Sequence, residues 1–468
     1  MRGLALTVAA CAVLLAGCAG ERAAEAPVGT AAVRPEALAR AVTAQGLKAH
    51  LTALARVAGR NGGSREVGTA GYQGSVDYVA RRLREAGYRP RLHEFSFNLF
   101  RETRPPRFER VPPGAELYRH ERDFVTMRYS GGGTVSGRVA PVEPDSTSSG
   151  CERSDFAGFT RGAVALLRRG GCFLFMKATN AKAAGASAVL IANEGGPGRT
   201  APILGTLVRP GIGIPVLGIS SSLGTELARS SAAGAVQVRI AVSAVTRRSR
   251  AVNVIADLPG RKDGVVLLGA HLDSVASGPG VNDNGSGSSL VLEIARQARR
   301  LGARPARGLR FAFWGAEELG LVGSSAYVGS LSAGERGRLA AVLNFDMVSS
   351  TNYGRFVYDG DSGPPGSARI EQLFRAHFAA RRQQVEEVDF GGASDHAAFA
   401  QAGIAVGGLF TGADAVKSAG LARRFGGVAG RPFDACYHQP CDTLENANVA
   451  VLGQMADAAA VVALRLAG

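Results

Sequence analysis

Val265-Val266-Leu267-Leu268-Gly269-Ala270 runs without a polar side chain into His271-Leu272-Asp273. Two further runs follow the same plan. Leu309-Arg310-Phe311-Ala312-Phe313-Trp314 ends in Gly315-Ala316-Glu317-Glu318, and Ala341-Val342-Leu343-Asn344-Phe345 ends in Asp346. Short apolar runs of this kind predict strands of a buried parallel sheet. In open α/β sheets, functional groups gather beyond the carboxyl ends of such strands. Three strand ends in succession deliver imidazole or carboxylate. Between the first two, the loop Gly280-Val281-Asn282-Asp283-Asn284-Gly285-Ser286-Gly287 adds Asp283. The pattern predicts a site, not scattered polar residues.

Outward from this stretch, strands and helices alternate from Val238 to an apolar-faced helix at Val449–Leu466, as a mixed α/β sheet requires. Upstream, Leu38, Val42, Leu47, Leu51, Leu54 and Val57 share a helical face across residues 35–59. Tyr72, Val76, Val79 and Leu83 mark a second helix stopped by Gly87, and Arg91 to Phe97 reads as a strand. The proline-rich segment Pro105 to Pro113 reads as a domain boundary. Residues 113–237 have short strands and helices but no titratable cluster suited to chemistry. The expected organisation is a mixed, mostly parallel sheet flanked by helices, built from residues 36–112 and 238–468. Residues 113–237 form a smaller inserted α/β domain.

Residues 1–17 have the charged-then-apolar plan of a secretory signal. Their end, Leu15-Ala16-Gly17-Cys18, resembles the bacterial lipobox, which implies cleavage before Cys18 and lipidation of it. Ordinary secretion is the alternative. Residues 18–35 would then be a flexible tether. The expected location is extracytoplasmic, held to the membrane only by a lipid on Cys18. Beyond Cys11 and Cys18, four cysteines remain, and sequence allows three pairings. Proximity along the chain favours Cys151 with Cys172 and Cys436 with Cys441. The net charge of +15 comes from dispersed residues, with arginine outnumbering lysine roughly ten to one. No basic stripe with interleaved aromatics is present, so a nucleic-acid partner is not expected.

His271, Asp283, Glu318, Asp346 and a later histidine offer the mixed imidazole and carboxylate donors that suit Zn²⁺, with Mn²⁺ or Co²⁺ as substitutes. Asp283, flanked by residues that let a loop fold tightly, is the best candidate to bridge two ions. Glu317 and Glu318 point different ways as neighbours, so one can bind metal while the other acts as a base. Each residue alone has a structural reading: a hydrogen-bonded histidine, a helix start, a cap. Five in order at strand ends favour metal.

His271-Leu272-Asp273-Ser274, Asn282-Asp283-Asn284-Gly285, Glu317-Glu318-Leu319-Gly320, Asn344-Phe345-Asp346-Met347, Ser394-Asp395-His396 and Cys436-Tyr437-His438-Gln439-Pro440-Cys441-Asp442 resemble the two-zinc aminopeptidases of the aminopeptidase S and aminopeptidase Y type. The resemblance spans residues 47–110 and 245–468. Residues 168–173, 177–186 and 214–216 resemble the protease-associated domain. The resemblance implies that His271 and Asp346 hold one zinc, Glu318 and His438 the other, and Asp283 bridges them. Glu317 would be the general base and Tyr437 a donor to the oxyanion. Asp273 would orient His271 from behind, and Cys436–Cys441 would pin the loop of Tyr437 and His438. Gly392 and Phe410 would shape the substrate pocket.

The implied activity is release of N-terminal, apolar residues from peptides with a free amine. Calcium occurs in some members of that family, but no motif assigns it here, and no protein partner is implied. A carboxypeptidase would need a cationic clamp that the motifs do not supply. A glutaminyl cyclase would need one metal, and a non-catalytic relative would have lost ligands. Ser394-Asp395-His396 reads as a turn supporting the pocket, because adjacent residues rarely assemble a triad.

Overall fold

A computed structural model describes residues 1, 3 and 33–468, apart from 147, 197, 198 and 390. Cys18 and nearly all of the expected signal and tether lie outside the described residues. Within them, the first half of the chain contributes β1 (Arg91–Arg110), β2 (Glu116–Leu117), β3 (Phe124–Thr126), β4 (Gly133–Pro141), β5 (Val164–Arg168), β6 (Ala188–Ala192) and β7 (Val216–Ile219). The second half contributes β8 (Gln237–Leu258), β9 (Val265–His271), β10 (Gly308–Trp314), β11 (Leu339–Phe345), β12 (Phe356–Tyr358), β13 (Glu386–Val388) and β14 (Val406–Phe410).

The order β14-β11-β9-β10 is parallel throughout, and β12 and β8 run antiparallel at its two edges. Apolar side chains fill both faces of these strands, as the continuous runs require. From β9 the chain crosses to β10 on one side and then to β11 on the other. That reversal opens a crevice at the carboxyl ends, where ligands of such sheets bind. The helix Gly285–Arg300 packs over the sheet, with the Asn284 side chain accepting the Gly287 N–H as its cap. Gly287 is required there, because a Cβ would lie 2.0 Å from the Phe345 carbonyl oxygen. The C-terminal helix Val449–Ala467 is long and apolar enough to cross a membrane, yet most of it is buried in this core.

Sequence and structure differ most at β1. The proline-rich stretch does not interrupt the strand: β1 runs through Pro105 and Pro106 and pairs with β8 from Arg91↔Ile255 to Arg110↔Val238. The register shifts between Glu102 and Arg107, and prolines are tolerated in such bulges. β8 is likewise one continuous strand from Gln237 to Leu258. Its second half pairs with β10 and its first half with β4. From β4 a second sheet continues, β4-β5-β6-β7 parallel and β3 antiparallel. The expected limits at 112/113 and 237/238 therefore fall at one end of a ribbon common to both units. The first helical stretch also divides, into Pro35–Ala41 and Ala44–Arg60, where Thr43 caps the second helix through the Gly46 N–H.

Candidate metal centre

β9 ends in His271, the turn after β10 carries Glu317 and Glu318, and Asp346 follows β11. His271 Nε2 lies 3.1 Å from Asp283 Oδ1, 3.2 Å from Asp346 Oδ1 and 3.8 Å from Glu317 Oε2. His438 Nε2 lies 3.2 Å from Asp283 Oδ2 and 3.1 Å from Glu318 Oε2. The two oxygens of one carboxylate thus face two separate groups of donors.

The electrostatics show a site short of positive charge. Burial opposes the imidazolium of His271, yet Asp346, Glu317 and Asp283 hold its pKa well above the usual range. Burial likewise opposes charge on His438, but Asp283 and Glu318 push it up to about 10. Burial, then Asp283, raises Glu318 to about 7, and burial carries Glu317 well above the usual carboxylate range. Glu318 Oε1 is buried with no hydrogen-bond partner among the described residues. Donors bonded at 2.0–2.1 Å to a tetrahedral zinc stand about 3.3 Å apart. The four separations of 3.1–3.2 Å match that spacing. The donor set fits zinc.

These groups open into a cavity of about 320 Å³ whose other wall includes Met347, Val388 and Phe410. Gly391 and Ala393 line it, whereas Gly392, expected in the wall, does not; its exposed turn faces solvent. A larger cavity, about 1000 Å³, lies in the second sheet's unit and contains none of the donor set. Tyr437 lines the smaller cavity with its ring stacked on His438 at 3.8 Å. The cysteines pair as 151–172 and 436–441, with Cα separations of 5.8 and 5.3 Å.

A model of peptidase family M28 matches residues 253–463, and a model of the PA domain matches residues 135–227. An aminopeptidase of Pseudomonas aeruginosa is 41% identical over 444 residues, covering 92% of this chain and 82% of that protein. The chain belongs to peptidase family M28. A probable lipoprotein aminopeptidase of Mycobacterium tuberculosis is 40% identical over 434 residues, covering 89% of this M28 peptidase and 83% of the relative. The structure is similar to that of a zinc aminopeptidase from Bacillus subtilis, with a TM-score of 0.68 and 25% identity over 90% of this chain and 94% of the other.

Around the M28 centre the structure reveals supports to which the sequence assigned no role. Arg65 is fully buried, and its guanidinium donates to the carbonyls of Leu272, Pro279 (2.9 Å) and Gly280 (2.6 Å). It braces the loop between His271 and Asp283 from behind. Asp442 accepts the N–H groups of Asn282 (2.8 Å) and Asp283 (3.0 Å). Asp434 accepts the Asn282 amide at 2.6 Å and the Cys436 N–H at 2.8 Å, joining the Asp283 loop to the His438 loop.

Asp273 differs in detail from expectation. His271 Nδ1 faces the Asp273 backbone carbonyl at 3.2 Å and its carboxylate at 3.7 Å. That carboxylate accepts the N–H groups of Glu317 (3.2 Å) and Glu318 (3.3 Å). Ser394 forms no triad: its hydroxyl donates to Asp346 Oδ2 at 2.7 Å, while the His396 ring packs on Tyr358. In a second acidic group, Asp359, Asp361 and Glu371, Asp359 accepts the Asp361 N–H, and Glu371 accepts the Gly360 N–H and Arg375; calcium is not assigned to it.

Proposed function

We propose that this M28 peptidase is an exported aminopeptidase that removes N-terminal, preferentially apolar residues from peptides with two zinc ions in the described centre. The observation that carries the reading is the Asp283 carboxylate, with one oxygen toward His271 and Asp346 and the other toward His438 and Glu318. His271 and Asp346 would hold one ion, Glu318 and His438 the other, and Asp283 both. When bound, zinc supplies Lewis-acid chemistry, polarising the scissile carbonyl and acidifying water.

The chain's own groups do the rest. Glu317, fixed by Asp273 through its backbone, accepts the proton of the attacking water and returns it to the leaving amine. Burial keeps the Tyr437 phenol protonated, so it can donate to the developing oxyanion. The carboxylates lining the cavity suit a free α-ammonium, and Met347, Val388 and Phe410 suit an apolar first side chain. The lipoprotein relative and the two disulfides support export with a lipid on Cys18.

The test uses purified mature protein with leucyl p-nitroanilide beside its N-acetylated form, before and after chelation. Cleavage of the free-amine substrate alone, lost on chelation and restored by two zinc ions per chain, is expected. Equal cleavage of the blocked substrate, or activity unaffected by complete zinc removal, would overturn the reading.

A further inference from the structure

Arg128 belongs to the segment that follows β3, in the unit of the second sheet. Its half-buried side chain leaves that unit, and Nη2 donates to the backbone carbonyl of Glu318 at 3.0 Å. Its own backbone is held inside the unit. The Arg128 N–H donates to the Gly205 carbonyl at 2.9 Å, and its carbonyl accepts the Leu207 N–H at 3.0 Å. The next residue ties the same segment to the ribbon, where the Tyr129 hydroxyl donates to the Asn98 carbonyl of β1 at 3.0 Å. The guanidinium also lies in the field of Glu66, whose carboxylate pairs with Arg101 at 3.2 Å.

The receiving turn needs such a hold. Ala316 and Leu321, at its ends, have φ of 58° and 59°, in the left-handed region that non-glycine residues seldom occupy. Asp273 secures the N–H groups of Glu317 and Glu318. The Glu317 carbonyl accepts from Gly320 and Leu321 within the turn. Among the described residues, the donor that reaches the Glu318 carbonyl is Arg128. We propose that Arg128 is a positioning residue of the peptidase centre: through it the inserted domain fixes the Glu318 peptide, and with it the side chains of Glu317 and Glu318. The assignment rests on reading Glu317 as the base and Glu318 as a zinc donor. It gives the inserted domain a direct part in assembling the centre.

The test compares wild type with Arg128→Ala, Arg128→Gln, Arg128→Lys and Tyr129→Phe in the full mature chain. Two readouts are followed: steady-state cleavage of leucyl p-nitroanilide, and the rate at which zinc passes to a chromogenic chelator. Misplacing catalytic groups slightly costs rate more than binding, so Arg128→Ala should lower kcat about 10-fold with KM little changed. Zinc should leave faster, Tm should hold, and Arg128→Lys should recover much of both losses. Wild-type kcat and zinc release in a folded Arg128→Ala protein would overturn the proposal. So would an equal loss in Tyr129→Phe, which would assign the effect to domain docking at large. If Arg128→Ala does not fold, the Gln and Lys variants decide by the same two readouts. If wild type cleaves nothing, the aminopeptidase reading fails separately, and unchanged zinc release in the variants would still overturn this one.

Discussion

At the scale of single residues, what the sequence announces and what it conceals follow from distance along the chain. His271, Asp283, Glu317, Glu318 and Asp346 each stand where an apolar run or a tight loop stops, so their placement was legible. Arg65 was not, because the carbonyls it serves lie more than 200 positions away and no periodicity records the link. Two predictions belong here. Glu317→Ala removes the proposed proton acceptor but no proposed zinc donor, so kcat should fall on the order of 10²–10⁴-fold with zinc content unchanged, read by turnover and metal analysis. Zinc lost in that variant would show that Glu317 is a ligand instead. Arg65→Met leaves the Leu272 and Pro279 carbonyls without a donor, while Gly280 keeps the Gly285 N–H, and should destabilise the fold by about 3 kcal/mol in urea titration. A neutral effect would mean water takes over the brace.

At the scale of elements, helices and central strands were readable from hydrophobic period, and their joints were not. Pro105 and Pro106 signalled a break because proline lacks a ladder donor, yet the bulge absorbs both inside β1. The helix Gly285–Arg300 meets β11 through Gly287, and its other face meets Ala44–Arg60 around His50 and Glu293. Gly287→Val pushes a side chain into the Phe345 carbonyl and should lift the helix that follows Asp283. A loss of about 2 kcal/mol is expected, together with weaker zinc retention, measured by denaturant melts and chelator competition. The second interface titrates. His50 is buried between Tyr78 (2.6 Å) and Glu293 (3.0 Å), and burial holds its pKa below the usual value. Glu293 is also held low, where its hydrogen bonds from His50 and Gln297 outweigh burial. The unfolded chain takes up His50's proton near pH ~6.5 while the native state resists it, so stability is intact above that range and falls as pH drops below it. Removing His50 removes its share of that slope. Melting curves from roughly pH 8 to 5 should therefore be flatter for His50→Gln than for wild type. Parallel curves would place the acid sensitivity elsewhere.

At the scale of the whole molecule, the two units share a ribbon but not a core. The large core is formed by buried residues from 38–99 and 254–467, and the second unit's cores draw on residues 108–242. An alternating α/β pattern and a change of texture made both units legible in the sequence. Their continuity through β8 was not, because a strand serving two sheets looks like two strands with exposed arginines between them. Separate cores imply separable folding. Glu102 and Ala244 are directly paired across the ribbon, so an Asn-Gly turn can join them in place of residues 103–243. The shortened chain keeps the M28 core and every proposed zinc donor, and it loses Arg128. Trp314 is the chain's single tryptophan and is buried against Tyr327 and Phe399, so its emission reports the M28 core alone. The shortened protein should unfold cooperatively by that signal and bind zinc, yet turn over about as slowly as Arg128→Ala. Full activity would mean the inserted domain has no part in the centre. Loss of the cooperative transition would mean that the ribbon carries stability between the units, and that the two cores, though distinct in composition, fold as one.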